Sequence, residues 1–184
     1  MLQVDISNTI FHTAVSFVNQ TNRHLFLTGK AGTGKTTFLK YIRENSYKKM
    51  AIVAPTGVAA INAGGVTIHS FFQLPLRTFL PANNSAFHDF EGRIFNEHTL
   101  LKNQRMNNTK RDVLNELELL IIDEISMVRA DTLDAIDLIL RVRRKKPTLP
   151  FGGVQVIYIG DLFQLPPVVK DDEWSLIKSY YKSP

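Results

Sequence analysis

The stretch GKAGTGKTT, residues 29 to 37, sets three glycines among small residues and closes on a lysine and two threonines. Glycines let backbone N–H groups turn inward around an anion. A helix beginning at the loop's end would add its positive dipole end. This is the complete G-x-x-x-x-G-K-[ST] pattern of a nucleotide phosphate cradle. Gly29, Ala31, Gly32, Thr33, Gly34, Lys35, Thr36 and Thr37 are therefore the expected nucleotide contacts. Lys35 can reach the outer phosphates, and the Thr36 hydroxyl can bind Mg²⁺. In LLIIDEIS, residues 119 to 126, Asp123 emerges from an apolar run where an unpaired carboxylate would be costly. A Mg²⁺ on the nucleotide is its natural partner, and Glu124 can act as base toward a water attacking the terminal phosphate. In VIYIGDLFQLPPVV, residues 156 to 169, an apolar run delivers Gln164 just past Gly160 and Asp161. Gln164 can then hydrogen-bond the terminal phosphate or the attacking water. Pro166 and Pro167 stiffen the loop behind it, so that loss of the phosphate becomes a loop movement.

These groups need strands to carry them. Four apolar runs have strand length: His24–Thr28, Met50–Ala54, Leu119–Asp123 and Val154–Gly160. None alternates strictly, as suits parallel strands covered on both faces. Helical patterns lie between them at Lys35–Glu44, Val58–Ala63 and Asp131–Arg143, the last with an inward stripe of Leu133, Ile136, Leu140 and Val142. The first 18 residues read as an amphipathic helix. Strand–helix alternation implies an open, mostly parallel α/β sheet with helices on both faces, and ligands bound beyond the strands' carboxyl ends. Residues 74–108, rich in Asn, Phe and turn formers, read as an insertion with little regular structure. The arginine and lysine run 141–146 reads as a solvated helix end that complements the dipole. Asp131, Asp134 and Asp137 read as helix acids opposite that basic tail, not as a metal site.

A chain of 184 residues with 44% apolar content can bury its own core as a single domain. No run approaches the ~20 apolar residues of a membrane span. The absence of cysteine excludes disulfides and thiolate metal sites and is consistent with a cytoplasmic protein. A net charge of +5 permits a polyanionic partner without requiring one. A regulatory GTPase would need Asp-x-x-Gly where this chain has Asp123-Glu124-Ile125-Ser126. The stretch TKRD, residues 109–112, begins a helical pattern and does not end a strand, which excludes it as a guanine reader.

Taken together, GKAGTGKTT, APTGVAAINAGGVTIHSFF, LLIIDEISMV and GGVQVIYIGDLFQLPPVV closely resemble the motor motifs of the Pif-type DNA helicases, the 5′-to-3′ branch of superfamily one related to RecD. The resemblance runs from about Leu25 to Val169. It implies a RecA-like P-loop fold in which the Gln-bearing strand lies between the cradle strand and the Asp-Glu strand. The expected order is second, third, fourth, first. It implies an ATP- and Mg²⁺-dependent motor that translocates on single-stranded DNA and opens duplex at single/double-strand junctions. Lys35, Glu124 and Gln164 would be catalytic, with Thr36 and Asp123 holding Mg²⁺. It further implies that Pro55, Thr56 and Gly57 grip the DNA backbone and that His69 and Phe71 are available to stack on bases. A second RecA-like domain, with arginines that complete the active site, is expected elsewhere in the full-length protein. For a bacterial protein the expected place is the nucleoid. An adenine-reading glutamine one helix ahead of the cradle would fall near His12, which departs from the pattern. The competing class is an AAA-type loader or remodeller acting on protein. It would carry a sensor Asn or Thr at the fourth strand and a helical lid, in place of GDLFQLPP.

Overall fold

All four side chains of Leu119–Ile122 are buried, because helices cover this strand on each face. The computed structural model describes residues 8–81, 94–103 and 106–183. Its strands, in chain order, are β1 (Leu25–Thr28), β2 (Met50–Ala54), β3 (Val66–Thr67), β4 (Thr78–Leu80), β5 (Ile94–Asn96), β6 (Leu119–Ile122) and β7 (Gln155–Gly160). The helices are α1 (Thr9–Gln20), α2 (Lys35–Asn45), α3 (Gly57–Ala63), α4 (Ile68–Phe72), α5 (Glu97–Asn103), α6 (Asn108–Glu116), α7 (Ala130–Arg143) and α8 (Asp171–Ile177). The main sheet is parallel in the order β1-β7-β6-β2-β3. Its first four strands, β1-β7-β6-β2, stand in the expected order. The short edge strand β3 was not predicted, since Gly64-Gly65 reads only as a helix stop.

The parity of the strands assigns each side chain to a layer. Ala51, Val53, Leu120, Ile122 and Val156 face one way, onto Ile68, Phe71 and Phe72 of α4, Leu114 of α6 and Ile136, Ile139 and Leu140 of α7. Ile52, Leu119, Ile121, Ile157 and Ile159 face the other way, onto Ala14 and Val18 of α1 and Phe38, Leu39 and Ile42 of α2. Of the predicted α7 stripe, Ile136 and Leu140 are fully buried, Leu133 is half-buried and Val142 is 38% exposed. Val142 lies two residues beyond Leu140, which at 3.6 residues per turn places it on the opposite side of the helix. Ala135 and Ile139 complete the buried face instead.

Residues 74–108 depart from expectation. Their described part contains β4 and β5, paired in parallel as a small second sheet, and then α5. Phe79 and Phe95 enter the α7 core, while Leu80 and Ile94 pack on Ile177 of α8. These strands are too short for a period to reveal them. Residues 82–93 and 104–105 of this insertion, and residues 1–7 of the predicted first helix, lie outside the described residues.

The acids of α7 are structural: Asp131 lies in the first turn and Asp137 does face the basic run through Arg141, but Asp131 and Asp134 bind other partners. Asp131 is buried and makes two bonds of 2.9 Å to Arg129, which also reaches Glu173 and the Thr78 hydroxyl. The same carboxylate accepts the Phe79 N–H. Asp137 pairs with Arg141 at 2.6 Å and accepts the Phe151 N–H, while Asp134 accepts the Tyr181 hydroxyl. Among the described residues no cluster of His, Asp or Glu could hold a metal. Nor is the basic run 141–146 merely solvated. Arg144 donates to the carbonyls of Leu114, Asn115 and Gly152, tying α6 and the turn before β7 to the end of α7.

At the same end of the sheet, edge-on to Phe151, His24 accepts the Val156 N–H at Nδ1 at 3.0 Å, which requires that nitrogen to be unprotonated. Burial lowers the His24 pKa below its ordinary value, against a smaller upward pull from Asp137. The folded pKa thus lies below the unfolded one, so the contribution is complete above about pH 6.5 and is lost as pH falls through the folded pKa. The thermal midpoint is expected to fall between pH 7.5 and 5.5 by more in the native chain than in His24→Asn. The asparagine oxygen can accept the same N–H without titrating. The residue as a whole is exposed, so the difference is small, and equal slopes in the two proteins would show that His24 does not contribute.

Candidate active site

The cradle residues occupy the turn between β1 and α2. Gly34 caps α2 with φ 93°, a left-handed conformation that glycine adopts at little cost. The loop is braced by Thr33, whose N–H and hydroxyl both donate to the Lys30 carbonyl. Lys35 Nζ folds back onto the carbonyls of Gly29 and Lys30, the latter at 3.0 Å. A phosphate entering the loop would compete for this ammonium group.

Asp123 stands directly past β6, with its N–H bonded to the Val53 carbonyl of β2 at 2.9 Å. Burial raises its carboxyl pKa, and Glu124 adds repulsion. Lys35 and a hydrogen bond from the Glu124 backbone pull the other way. A half-buried carboxylate so placed, in one cavity with the Thr36 hydroxyl, is a suitable donor pair for a hard divalent cation. Glu124 follows with φ 53° and ψ 47°, left-handed for a residue with a side chain, and opens a 3₁₀ turn at Ile125–Met127. Conformations of this kind cost of order 1–3 kcal/mol and collect at functional sites.

β7 lies between β1 and β6, so the loop after Gly160 emerges beside both. Asp161 is buried and accepts the Phe163 N–H on its side chain and the Gln164 N–H on its carbonyl. That turn, as well as the prolines behind it, fixes where Gln164 leaves the sheet. Gly160 is required for a different reason. A Cβ there would stand 2.9 Å from Ile125 Cγ2 and 3.0 Å from Ile125 N. Its absence lets β7 press against the turn that carries the acidic pair.

Thr36, Asp123, Glu124 and Gln164 line one open cavity of about 400 Å³. Thr56, Val58, Ala59, Asn62, Ser126, Met127 and Leu165 complete the wall. Asn62 and Ser126 were not singled out in the sequence; only the cavity that α3 and the acidic turn share reveals them. A second hollow, of about 120 Å³, lies between α1 and the cradle. It is lined by Asn8, Phe11, Leu27, Thr33, Lys35 and Phe38 among others. His12 is exposed on α1 and is not among its lining residues.

The expected DNA contacts divide. Pro55 and Thr56 are half-buried and Gly57 is exposed at the start of α3. The Thr56 hydroxyl caps that helix by accepting from Ala59 N. His69 is half-buried, and burial lowers its pKa. Phe71 is not available for stacking on bases. It is 8% exposed, edge-on to Phe72, with Lys110 Nζ 3.7 Å from its ring centre. Its position in the apolar face of α4 places it in the core.

A model of the family described as PIF1-like helicase matches residues 2–180. The chain belongs to the PIF1-like helicase family. The ATP-dependent DNA helicase RRM3 of Saccharomyces cerevisiae is 37% identical over 174 residues, covering 92% of this chain and 22% of the relative. The ATP-dependent DNA helicase Pif1 of a Psychrobacter species is 36% identical over 153 residues, covering 81% of this chain and 20% of its own length. Among solved structures, Bacteroides Pif1 bound to single-stranded DNA superposes with a TM-score of 0.81 at 42% identity, covering 98% of this chain and 38% of the other. Pif1 helicase from Bacteroides in complex with ADP-AlF3 and single-stranded DNA gives 0.82 at 43% identity, again over 98% and 38%. The chain thus spans about a fifth of these curated relatives. Its RecA-like fold, a mostly parallel sheet with helices on both faces, is the one the PIF1-like motifs imply.

Proposed function

We propose that this chain is the ATP-binding motor domain of a DNA helicase that moves 5′ to 3′ on single-stranded DNA and opens duplex at junctions. What supports this reading most is that Thr36, Asp123, Glu124 and Gln164, carried by three neighbouring strand ends, line one cavity whose opposite wall is α3. Family membership and the DNA- and nucleotide-bound relatives point the same way.

In this mechanism the cradle from Gly29 to Thr37 binds the β- and γ-phosphates of ATP, and Lys35 leaves its loop carbonyls to bind them. Thr36 and Asp123 would hold Mg²⁺, which when bound neutralises charge that develops on the phosphate oxygens. Glu124 orients the attacking water and takes its proton. Gln164 hydrogen-bonds the terminal phosphate and reports its loss through the 161–169 loop. The base lies toward the hollow under α1, where Phe11 and Phe38 offer apolar walls and Asn8 a polar group. Pro55, Thr56 and Gly57 contact the DNA backbone at the start of α3, with His69 nearby. Leu162, Phe163 and Leu165, 66%, 100% and 71% exposed, suit burial against a second RecA-like domain of the full-length protein.

Binding of a labelled oligothymidine to the full-length protein, followed by anisotropy at several salt concentrations, tests the DNA reading. The logarithm of affinity is expected to fall linearly with log salt, at about 0.7 per phosphate contacted. No binding at low salt, with ATP hydrolysis intact, would favour a protein-directed ATPase.

A further inference from the structure

Ser126 is 7% exposed, and its hydroxyl is shut off from solvent with no hydrogen-bond partner among the described residues. Leaving a buried hydroxyl unpaired costs about 1–3 kcal/mol. Groups of this kind are few in folded proteins, and each calls for a reason. Ser126 lines the same cavity as Thr36, Asp123, Glu124 and Gln164.

Its place is rigidly set. It lies two residues past Glu124, inside a turn closed by Met127 N to Glu124 O and Val128 N to Ile125 O, both at 3.0 Å. The end of β7 presses on the same turn, and a Cβ at Gly160 would stand 3.4 Å from Ser126 N. Gln164 departs from that strand end four residues later. Its backbone is held by Asp161, while its amide is exposed and makes no hydrogen bond among the described residues. One wall of the cavity therefore includes Ser126, whose hydroxyl is buried beneath it without a partner, and the adjacent loop carries an amide lacking one.

A glutamine amide has two ends of nearly equal shape and opposite polarity, an acceptor oxygen and a donor NH₂. To bind a terminal phosphate it must present the NH₂ end. A hydroxyl donating to the amide oxygen selects that orientation.

We infer that Ser126 is a positioning residue for ATP hydrolysis, its hydroxyl donating to Gln164 Oε1 so that the amide nitrogen faces the terminal phosphate. The inference rests on the ATPase reading above. Glu124 and Asp123 are acceptors in the same cavity but precede Ser126 in its own turn, whereas Gln164 sits on the element that must move. The hydroxyl thus gives the loop a docking point when the site is loaded.

The test uses Ser126→Ala in the full-length protein, with Ser126→Cys as a variant of similar volume and weak donor strength. DNA-stimulated turnover is expected to fall about tenfold in both, with the KM for ATP within about twofold of wild type. The thermal midpoint of Ser126→Ala without nucleotide is expected to be unchanged or higher, because a buried unpaired group is removed. In a Gln164→Ala background, Ser126→Ala is expected to cause no further loss of kcat. Unchanged turnover overturns the inference. So do losses that multiply with those of Gln164→Ala, and so does a lowered midpoint with KM raised in step. A wild-type protein with no DNA-stimulated turnover would remove the ATPase reading and this inference together. Brisk wild-type turnover that Ser126→Ala leaves intact removes this inference alone.

Discussion

Glu124→Gln in the full-length protein is expected to bind ATP as tightly as wild type and to turn it over at least about a hundredfold more slowly. A general base contributes roughly 10²–10⁴ in rate, and a hundredfold loss is about 2.7 kcal/mol on the barrier. The amide matches the carboxylate in shape, so the left-handed backbone at 124 and the turn behind it are undisturbed. What changes is proton affinity. The amide can still hold a water by a hydrogen bond but cannot accept its proton. Single-turnover hydrolysis with nucleotide in excess over its Kd separates the chemical step from binding. Unchanged turnover would mean that another group takes the proton. Asp123, whose pKa burial already raises, would be the first to examine.

Residues 1–184 tested alone are expected to bind Mg-nucleotide, to hydrolyse it at least about a thousandfold more slowly than the full-length protein on single-stranded DNA, and to unwind nothing. An arginine placed on the transferred phosphate is worth roughly 10³–10⁵ in rate. Among the described residues, no arginine lines the cavity. Arg129, which follows the acidic turn closely in sequence, is held by Asp131, Glu173 and Thr78. The chain spans 38% of the Bacteroides Pif1 structures, so the remaining part of such a protein has room to supply that group. Release of labelled phosphate by the purified 184-residue chain, with and without oligonucleotide, measures this. Turnover close to that of the full-length protein would show that the cavity is catalytically complete as it stands.

Much of the site could be read in the sequence because its residues lie at strand ends, where motif and topology coincide. A glycine-rich turn after an apolar run, an acidic pair after another and a glutamine after a third fall on one rim of a parallel sheet, and the resemblance to the Pif-type motors implies the order of the strands. Chain order alone could not show which helix faces whom. Phe71 was misread because the local string TIHSFF does not reveal that its ring turns inward toward Phe72 while Lys110, from a distant helix, covers it. The tertiary partners of Arg144 and Asp131 are hidden for the same reason. A charge run has a solvated face by default, and only tertiary contacts convert it into a clamp on distant carbonyls or on β4. Ser126 carries no signal of its own, since serine after an acidic pair is an ordinary turn residue. Its interest arises from burial without a partner.

Glu124 departs from the sheet in a backbone geometry that glycine would adopt more readily. Replacement by glycine would relax the main chain and delete the carboxylate in the same stroke. On the function proposed above, selection for sturdiness and selection for turnover therefore pull apart at this position. A search for heat-resistant variants that ignored activity would be drawn toward silencing the engine.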